Sequence, residues 1–250
     1  MTVRDWDAAT YDRVSAPQVA FALPVLERLE LRGDETVLDA GCGSGRVTLL
    51  LLERLPRGRV VGVDSAPSMV EHAREALGER ATVLRASLTE LELDRPVDAV
   101  FSNAVFHWIG DHERLFARLY AALRPGGRLV AQCGGAGNVE RFHRAAEAAA
   151  AEPPYAEHFS GWQGPWNFAG AKETAERLRR AGFEAVHTWL EEAPVRPPDP
   201  RHYLRTVCLG HHLERLPEKL RPGYVEAVFE RADEELDYVR LNIEARRPPG

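Results

Sequence analysis

Residues 37–45 read Val-Leu-Asp-Ala-Gly-Cys-Gly-Ser-Gly, a short apolar run broken by glycines at alternate positions. The run is strand-like, and the leucine-rich residues 46–55 that follow are helix-like. Glycine lets the backbone turn sharply and approach a ligand with no Cβ in the way. In open α/β sheets a strand-to-helix turn of this kind lies at the carboxyl ends of the strands, where ligands bind. The same glycines also suit a tight turn that binds nothing, so the rest of the chain must decide.

The rhythm set by this turn continues. Residues 59–64 form a second β-branched run, and Ser65-Ala-Pro67 reads as the cap of a helix reaching about Leu77. Residues 81–85 and 97–103 read as further strands. Asp111 is placed to cap a helix running to Leu123, Pro125-Gly-Gly127 to end it, and residues 128–132 to form a fifth strand. Strands separated by helix-length segments imply a parallel sheet covered on both faces. After Gln132 the pattern changes. Residues 138–151 and 171–181 read as helices, 184–191 as a strand, and helical pieces run to about Leu236 before a last strand at 238–245. Ser15-Ala-Pro-Gln18 resembles a capping box opening an N-terminal helix, with Val19, Leu23, Leu26 and Leu29 on one face, that ends near Leu31. The expectation is a single α/β domain over residues 1–250. Residues 32–133 form its ligand-binding core, and residues 1–31, 134–170 and 196–236 form a small, mostly helical cap.

The 250 residues carry 32 Lys and Arg against 38 Asp and Glu, and this mild acidic excess argues against a phosphate-binding surface for nucleic acid. No apolar run approaches a membrane span, and the N-terminus has none of the regions of a signal peptide. Cys42, Cys133 and Cys208 are too scattered for a disulfide framework or a metal motif. A cytoplasmic protein with no metal site, no membrane contact and no nucleic-acid partner is expected.

Val60-Val-Gly-Val-Asp64 puts a carboxylate at the end of the second strand, close to the roughly 20 residues expected between such glycines and an acid that accepts from ribose hydroxyls. Capping the next helix is the alternative role for Asp64, but Ser65 is available for that task. The glycine spacing Gly41-x-Gly43-x-Gly45 departs from the dinucleotide pattern, which needs a glycine at the position of Arg46. Asp39 also places negative charge beside the turn, which suits an ammonium or sulfonium better than a pyrophosphate. An NAD-linked oxidoreductase is therefore the weakest reading.

Residues 36–132 resemble the core of class I S-adenosylmethionine-dependent methyltransferases. The resemblance rests on the 37–45 run, Val61-Gly-Val-Asp64, Asp98-Ala-Val-Phe-Ser-Asn103 and Leu123-Arg-Pro-Gly-Gly-Arg-Leu129. It implies a Rossmann-like seven-stranded sheet with its last strand antiparallel and S-adenosylmethionine as cofactor. It implies that Gly41, Gly43 and Gly45 line the methionine part and that Asp64 holds the ribose. Asp39, Ser65, Met69, Asn103, Ala104 and Trp108 are the further cofactor contacts expected. Ser87-Leu88 falls where the family usually carries an Asp against the adenine, so apolar packing and the Leu88 amide are expected to serve instead. Trp6, Tyr11 and Asp12 resemble a segment that closes over the cofactor, with Tyr11 either bonded to its carboxylate or simply packed.

Residues 103–112, Asn-Ala-Val-Phe-His-Trp-Ile-Gly-Asp-His, resemble the corresponding segment of the trans-aconitate methyltransferases, which methylate small carboxylic acids. His107 stands where that group usually carries Gln, and Cys133-Gly-Gly-Ala-Gly replaces its Pro- and Asn-containing turn. His107 is the candidate catalytic residue, as a general base or an orienting donor; packing beneath the adenosine is the alternative. Arg141, Arg144 and Arg205 are candidates to hold an anion. Trp162, Trp166, Tyr203 and Arg205 are the expected substrate contacts, within a cap rich in aromatics that is either a pocket or ordinary packing. The expected activity is methyl transfer to a small molecule, with a carboxylate oxygen first and a natural-product hydroxyl or nitrogen second. A non-catalytic S-adenosylmethionine-binding protein shares the same motifs.

Overall fold

The computed structural model describes residues 16–250, with only the backbone described at Ala16 and Pro17. Trp6, Tyr11, Asp12 and Ser15, invoked above, lie outside the described residues.

These residues form a seven-stranded sheet in the order β3-β2-β1-β4-β5-β7-β6. The strands are β1 (Thr36–Ala40), β2 (Arg59–Asp64), β3 (Ala81–Arg85), β4 (Val97–Asn103), β5 (Leu123–Gly134), β6 (Glu184–Glu192) and β7 (Val239–Arg246). Strands β1 to β5 pair in parallel, and β7 is inserted antiparallel between β5 and β6. Strand β4 is buried at Val97, Ala99, Val100, Phe101 and Ser102, the near-continuous burial of a strand covered on both faces. The chain order reverses between β1 and β4, which makes the gap above their carboxyl ends the ligand crevice of an open α/β sheet.

Helices α1 (Ala16–Arg28), α2 (Arg46–Glu53) and α3 (Pro67–Leu77) cover one face. They bury Val25, Leu26, Leu51, Val70 and Leu77 against Val37, Val60 and Phe101. Helices α4 (His112–Ala122) and α7 (Ala171–Arg180) cover the other, through Leu115, Phe116, Leu119 and Leu178. A third apolar cluster gathers α5 (Glu140–Ala150), α8 (Pro200–Tyr203), a π-helical turn at Leu204–Cys208 and α10 (Arg221–Phe229) around Phe142, Tyr203, Leu204, Tyr224 and Val228. The short helix α6 (Ala156–Phe159) contributes Phe159 to it, and α9 (Gly210–Arg215) contributes Leu213. Among the described residues, no helix is long and apolar enough to cross a membrane.

Several boundaries differ from expectation. Helix α1 ends at Arg28, because Glu30 adopts a left-handed φ of 48° that cannot continue it. Strand β5 begins at Leu123 instead of Arg128. Leu123 pairs with Val97 and Arg128 with Ala99, so residues 124–127 loop out opposite Asp98. Pro125 has no N–H for a ladder and Gly126 sits at φ 76°, so the excursion suits them. Helix α10 stops at Phe229, and Leu236 forms an isolated bridge with Val195.

Candidate active site

The strand-to-helix turn after β1 is shaped by its glycines. Gly41 has φ 87°, and a Cβ there would lie 2.2 Å from Val105 Cγ2, so no larger residue fits. Gly43 has φ 54°, and a Cβ there would meet no protein atom within 4 Å. Its open side faces a cavity of about 460 Å³ that both glycines line. Gly45 caps α2 at φ 88° and packs against Leu77, so it shapes the turn without lining the cavity.

The cavity lies where the carboxyl ends of β1, β2 and β4 meet the third apolar cluster. Its sheet side is lined by Asp64, Ser65, Met69, Ser87, Leu88, Asn103, Ala104, His107 and Trp108. The sequence separates these residues by up to 65 positions from Gly43 to Trp108, and the parallel sheet brings them to one edge. Ala104 adopts φ 62°, an uncommon conformation for a residue with a Cβ, and is fixed by its N–H to the Gln132 carbonyl at 2.8 Å. Ser87 bonds to Thr89 through its hydroxyl, at 2.9 Å.

Asp64 does more local work than its neighbour. Its carboxylate accepts from Gly43 N–H at 3.0 Å and from Ala66 N–H at 2.9 Å, tying β2 to the glycine turn and to the start of α3. Ala66, not Ser65, is the N-cap residue of α3, and no side chain caps it. The capping role assigned above to Ser65 is therefore corrected: the Asp64 carboxylate reaches the turn amide first. Burial raises the pKa of Asp64, against the backbone N–H bonds that lower it.

Asp39 is 2% exposed and lies beside a smaller cavity of about 70 Å³ that shares Gln18, Gly41, Gly43, Asn103 and Ala104 with the large one. It accepts from Thr48 Oγ1 at 2.7 Å. Burial pushes its pKa up to about 7, with the nearby Asp64 charge adding to the rise and the Thr48 bond opposing it. A site with two acids held partly against ionisation favours a cationic ligand.

Two further acceptors point the same way. Gln18 Oε1 and Asn103 Oδ1 are buried without a hydrogen-bond donor. Their other atoms are fixed: Asn103 Nδ2 donates to the Gln18 carbonyl at 2.9 Å, and Gln18 Nε2 donates to Tyr203 Oη at 2.7 Å. Unpartnered buried acceptors beside a glycine turn fit the amino group of S-adenosylmethionine, and the space at Gly43 fits a ligand lying against the backbone.

His107 is 8% exposed. Its Nδ1 accepts from Gly134 N–H at 3.2 Å, so the neutral ring carries its proton on Nε2. Burial holds its pKa well below the usual histidine range, helped by the Arg240 and His112 charges. With its lone pair committed, the ring is arranged as a donor and not as a base.

The cap side differs from the expectation. Of Trp162, Trp166, Tyr203 and Arg205, only Trp166 lines the cavity. Trp162 packs edge-on to His212 at 4.7 Å and takes the Arg215 guanidinium over its face at 5.3 Å. Tyr203 is 2% exposed and stands behind the wall, its hydroxyl 2.8 Å from that of Tyr238. Arg205 is exposed. Arg141 pairs with Asp233 at 2.8 Å, and Arg144 pairs with Glu140; neither lines the cavity.

The residues that do line it on this side include Asn138, Phe168, His211, Tyr238 and Arg240. Arg240 is the unanticipated one. Because β7 runs antiparallel, its first residues arrive at the ligand edge, where Arg240 pairs in register with Gly134. It is 2% exposed, donates Nε to Gln132 Oε1 at 3.1 Å, and lies over the rings of Phe21 at 4.7 Å and Tyr238 at 5.7 Å. Gln132 is in turn held by Nε2 to Asn242 Oδ1 at 2.9 Å. The sequence signal was faint, because Arg240 is one of four polar residues, with Asn242, Glu244 and Arg246, that alternate with apolar ones along β7.

Residues 37–127 match the family described as Methyltransferase domain. A trans-aconitate 2-methyltransferase of Variovorax paradoxus is 39% identical over 246 residues, covering 92% of this chain and 90% of that protein. Another, of Azoarcus sp., is 32% identical over 235 residues, covering 89% and 87%. Among solved structures, phosphoethanolamine N-methyltransferase 2 of Haemonchus contortus, in complex with phosphomonomethylethanolamine and S-adenosylhomocysteine, superposes with a TM-score of 0.63 at 20% identity, covering 97% of this chain and 57% of that one. Geranyl diphosphate C-methyltransferase of Streptomyces coelicolor gives 0.56 at 19% identity, covering 94% and 80%, so the same sheet serves different acceptor chemistry. With relatives of this identity along nearly its whole length, the chain belongs to the class I S-adenosylmethionine-dependent methyltransferases, and S-adenosylmethionine is its cofactor.

Proposed function

We propose that the enzyme O-methylates the carboxylate of a small organic acid. The observation that carries this reading is Arg240, a buried guanidinium on the wall of the cavity. No other Lys or Arg occurs among the described residues that line it. A charge in that position favours an anionic acceptor, and a guanidinium matches a carboxylate with paired N–H donors. The relatives named for trans-aconitate support the same class.

When bound, S-adenosylmethionine supplies a methyl group on a sulfonium. Asp64, Gly43, Asn103 and Gln18 would hold it at the sheet edge, with Ser65, Met69, Ser87, Leu88 and Trp108 beside them. A carboxylate is already ionised at neutral pH, so no base is required. That requirement agrees with a His107 whose lone pair is engaged. Arg240 orients the acid, His107 Nε2–H donates to an acceptor oxygen, and Trp108, Trp166 and Phe168 keep water out.

The test is incubation of the purified protein with methyl-labelled S-adenosylmethionine and separate pools of carboxylic acids, phenols and amines. Label recovered from the acid pool and released as methanol by mild alkali identifies a methyl ester. Alkali-stable label confined to phenols or amines would refute the assignment.

A further inference from the structure

On the carboxylate reading above, the charge and shape of the cavity also constrain which acid enters. Among the described residues, the lining offers one fixed positive charge, Arg240, and two acids, Asp64 and Asp111. His107 adds no second cation, since its Nδ1 accepts a backbone N–H. Of the cap arginines named above, Arg141 pairs with Asp233 and Asp237 and Arg144 with Glu140, and Arg205 is exposed and outside the lining. Part of the remaining wall is aromatic. Trp108 stacks on His211 at 5.0 Å and 23°, and Trp166 on Phe168 at 5.7 Å and 13°. The two pairs adjoin through Trp108 and Trp166, 5.8 Å apart. All four rings line the cavity, together with Tyr238 beside Arg240.

We infer that the acceptor is a planar, aromatic acid bearing a single carboxylate. The carboxylate sits on Arg240, and the ring lies against the wall made by Trp108, His211, Trp166 and Phe168. Offset or edge-on ring contacts reward such a body. A tricarboxylate such as trans-aconitate would bring further charges to a wall with no second Lys or Arg among the described lining residues, and an uncompensated buried charge is strongly disfavoured. The step balances without a proton. The ionised carboxylate oxygen forms the new C–O bond as the methyl–sulfur bond breaks, and that bond's electron pair stays on sulfur, leaving S-adenosylhomocysteine.

The experiment compares kcat/KM of the full chain for benzoate, phenylacetate, trans-cinnamate, indole-3-acetate and trans-aconitate. Calorimetric titration of each acid into protein saturated with S-adenosylhomocysteine accompanies the kinetics. The best aromatic acid is expected to exceed trans-aconitate by at least tenfold in kcat/KM and to bind more tightly. Trp166→Ala is expected to reduce that preference at least fivefold, with S-adenosylhomocysteine affinity reported alongside. A ratio below tenfold, or a preference for trans-aconitate, overturns this inference and leaves the carboxylate assignment standing. Methyl esters formed from none of the acids, with phenols or amines methylated instead, overturn both.

Discussion

Replacing Arg240 by Met removes the charge while keeping an unbranched apolar stem beside Phe21 and Tyr238. Because the guanidinium is 2% exposed, a carboxylate bound to it exchanges little with water. Removing one partner of such a pair costs about 3–5 kcal/mol, or roughly 150- to 5,000-fold in kcat/KM for the acid. Stability should change less. Gln132 Oε1 loses its donor, about 1–3 kcal/mol, but the buried charge and its desolvation cost go with it. A melting temperature within several degrees of the wild type is expected. The assay pairs initial rates across acid concentration with calorimetry of S-adenosylhomocysteine, whose affinity should stay within about threefold. Arg240→Lys, which keeps the charge and loses the planar fork, should fall between. A folded Arg240→Met enzyme with kcat/KM reduced less than tenfold would refute the reasoning. A parallel loss of S-adenosylhomocysteine affinity would move Arg240 to the cofactor.

Other consequences are equally direct. Asp64→Ala should weaken S-adenosylhomocysteine binding at least tenfold, since it also strands the Gly43 and Ala66 N–H groups; unchanged affinity in a folded variant would overturn the ribose assignment. Burial keeps His107 far below its usual range, so the shape of the kcat/KM profile between about pH 6 and 8 should be the same in His107→Gln as in the wild type, and a limb near 6.5 that disappears in the variant would contradict a neutral donor. His107→Ala should slow turnover more than it weakens cofactor binding, and full activity would reduce His107 to packing. Asp39 has a raised pKa, about 7 when folded. The unfolded chain therefore releases that proton first, and this site costs stability as pH rises from about 4 to about 7, by up to roughly 4 kcal/mol. Asp39→Asn can still accept from Thr48 and should remove that slope; equal slopes in denaturant titrations at pH 4.5 and 7.5 would argue against a buried proton at Asp39.

The cofactor half of the site was legible because its determinants are local. A glycine that must take positive φ, as Gly41 and Gly43 do, is visible in one dimension, and an acid at the end of the next strand follows from the βαβ repeat. Division of labour between Asp64 and Ser65 was not legible, since both side chains suit a helix start and only geometry shows which one reaches the amides. The half proposed to bind the acid depends on long-range pairing. Aromatic density in the cap does not reveal facing, so Trp166 reaches the cavity while Trp162 and Tyr203 support it from behind. Cap arginines drew attention by proximity in sequence, whereas Arg240 needs the strand reversal to arrive.

That reversal also decides how the enzyme fails. Strand β7 is the only link in the sheet between β5 and β6, so loosening that edge frees Arg240, Gln132's bonds to it and to Asn242, and the outer strand together. The glycine turn, Asp64 and α3 belong to the opposite half and need not open with it. Local unfolding is commonly confined to such contiguous units. Damage at the β6–β7 edge would thus masquerade as poor acid affinity in an enzyme that still binds its methyl donor, and hydrogen exchange at residues 239–246 would reveal it as partial melting.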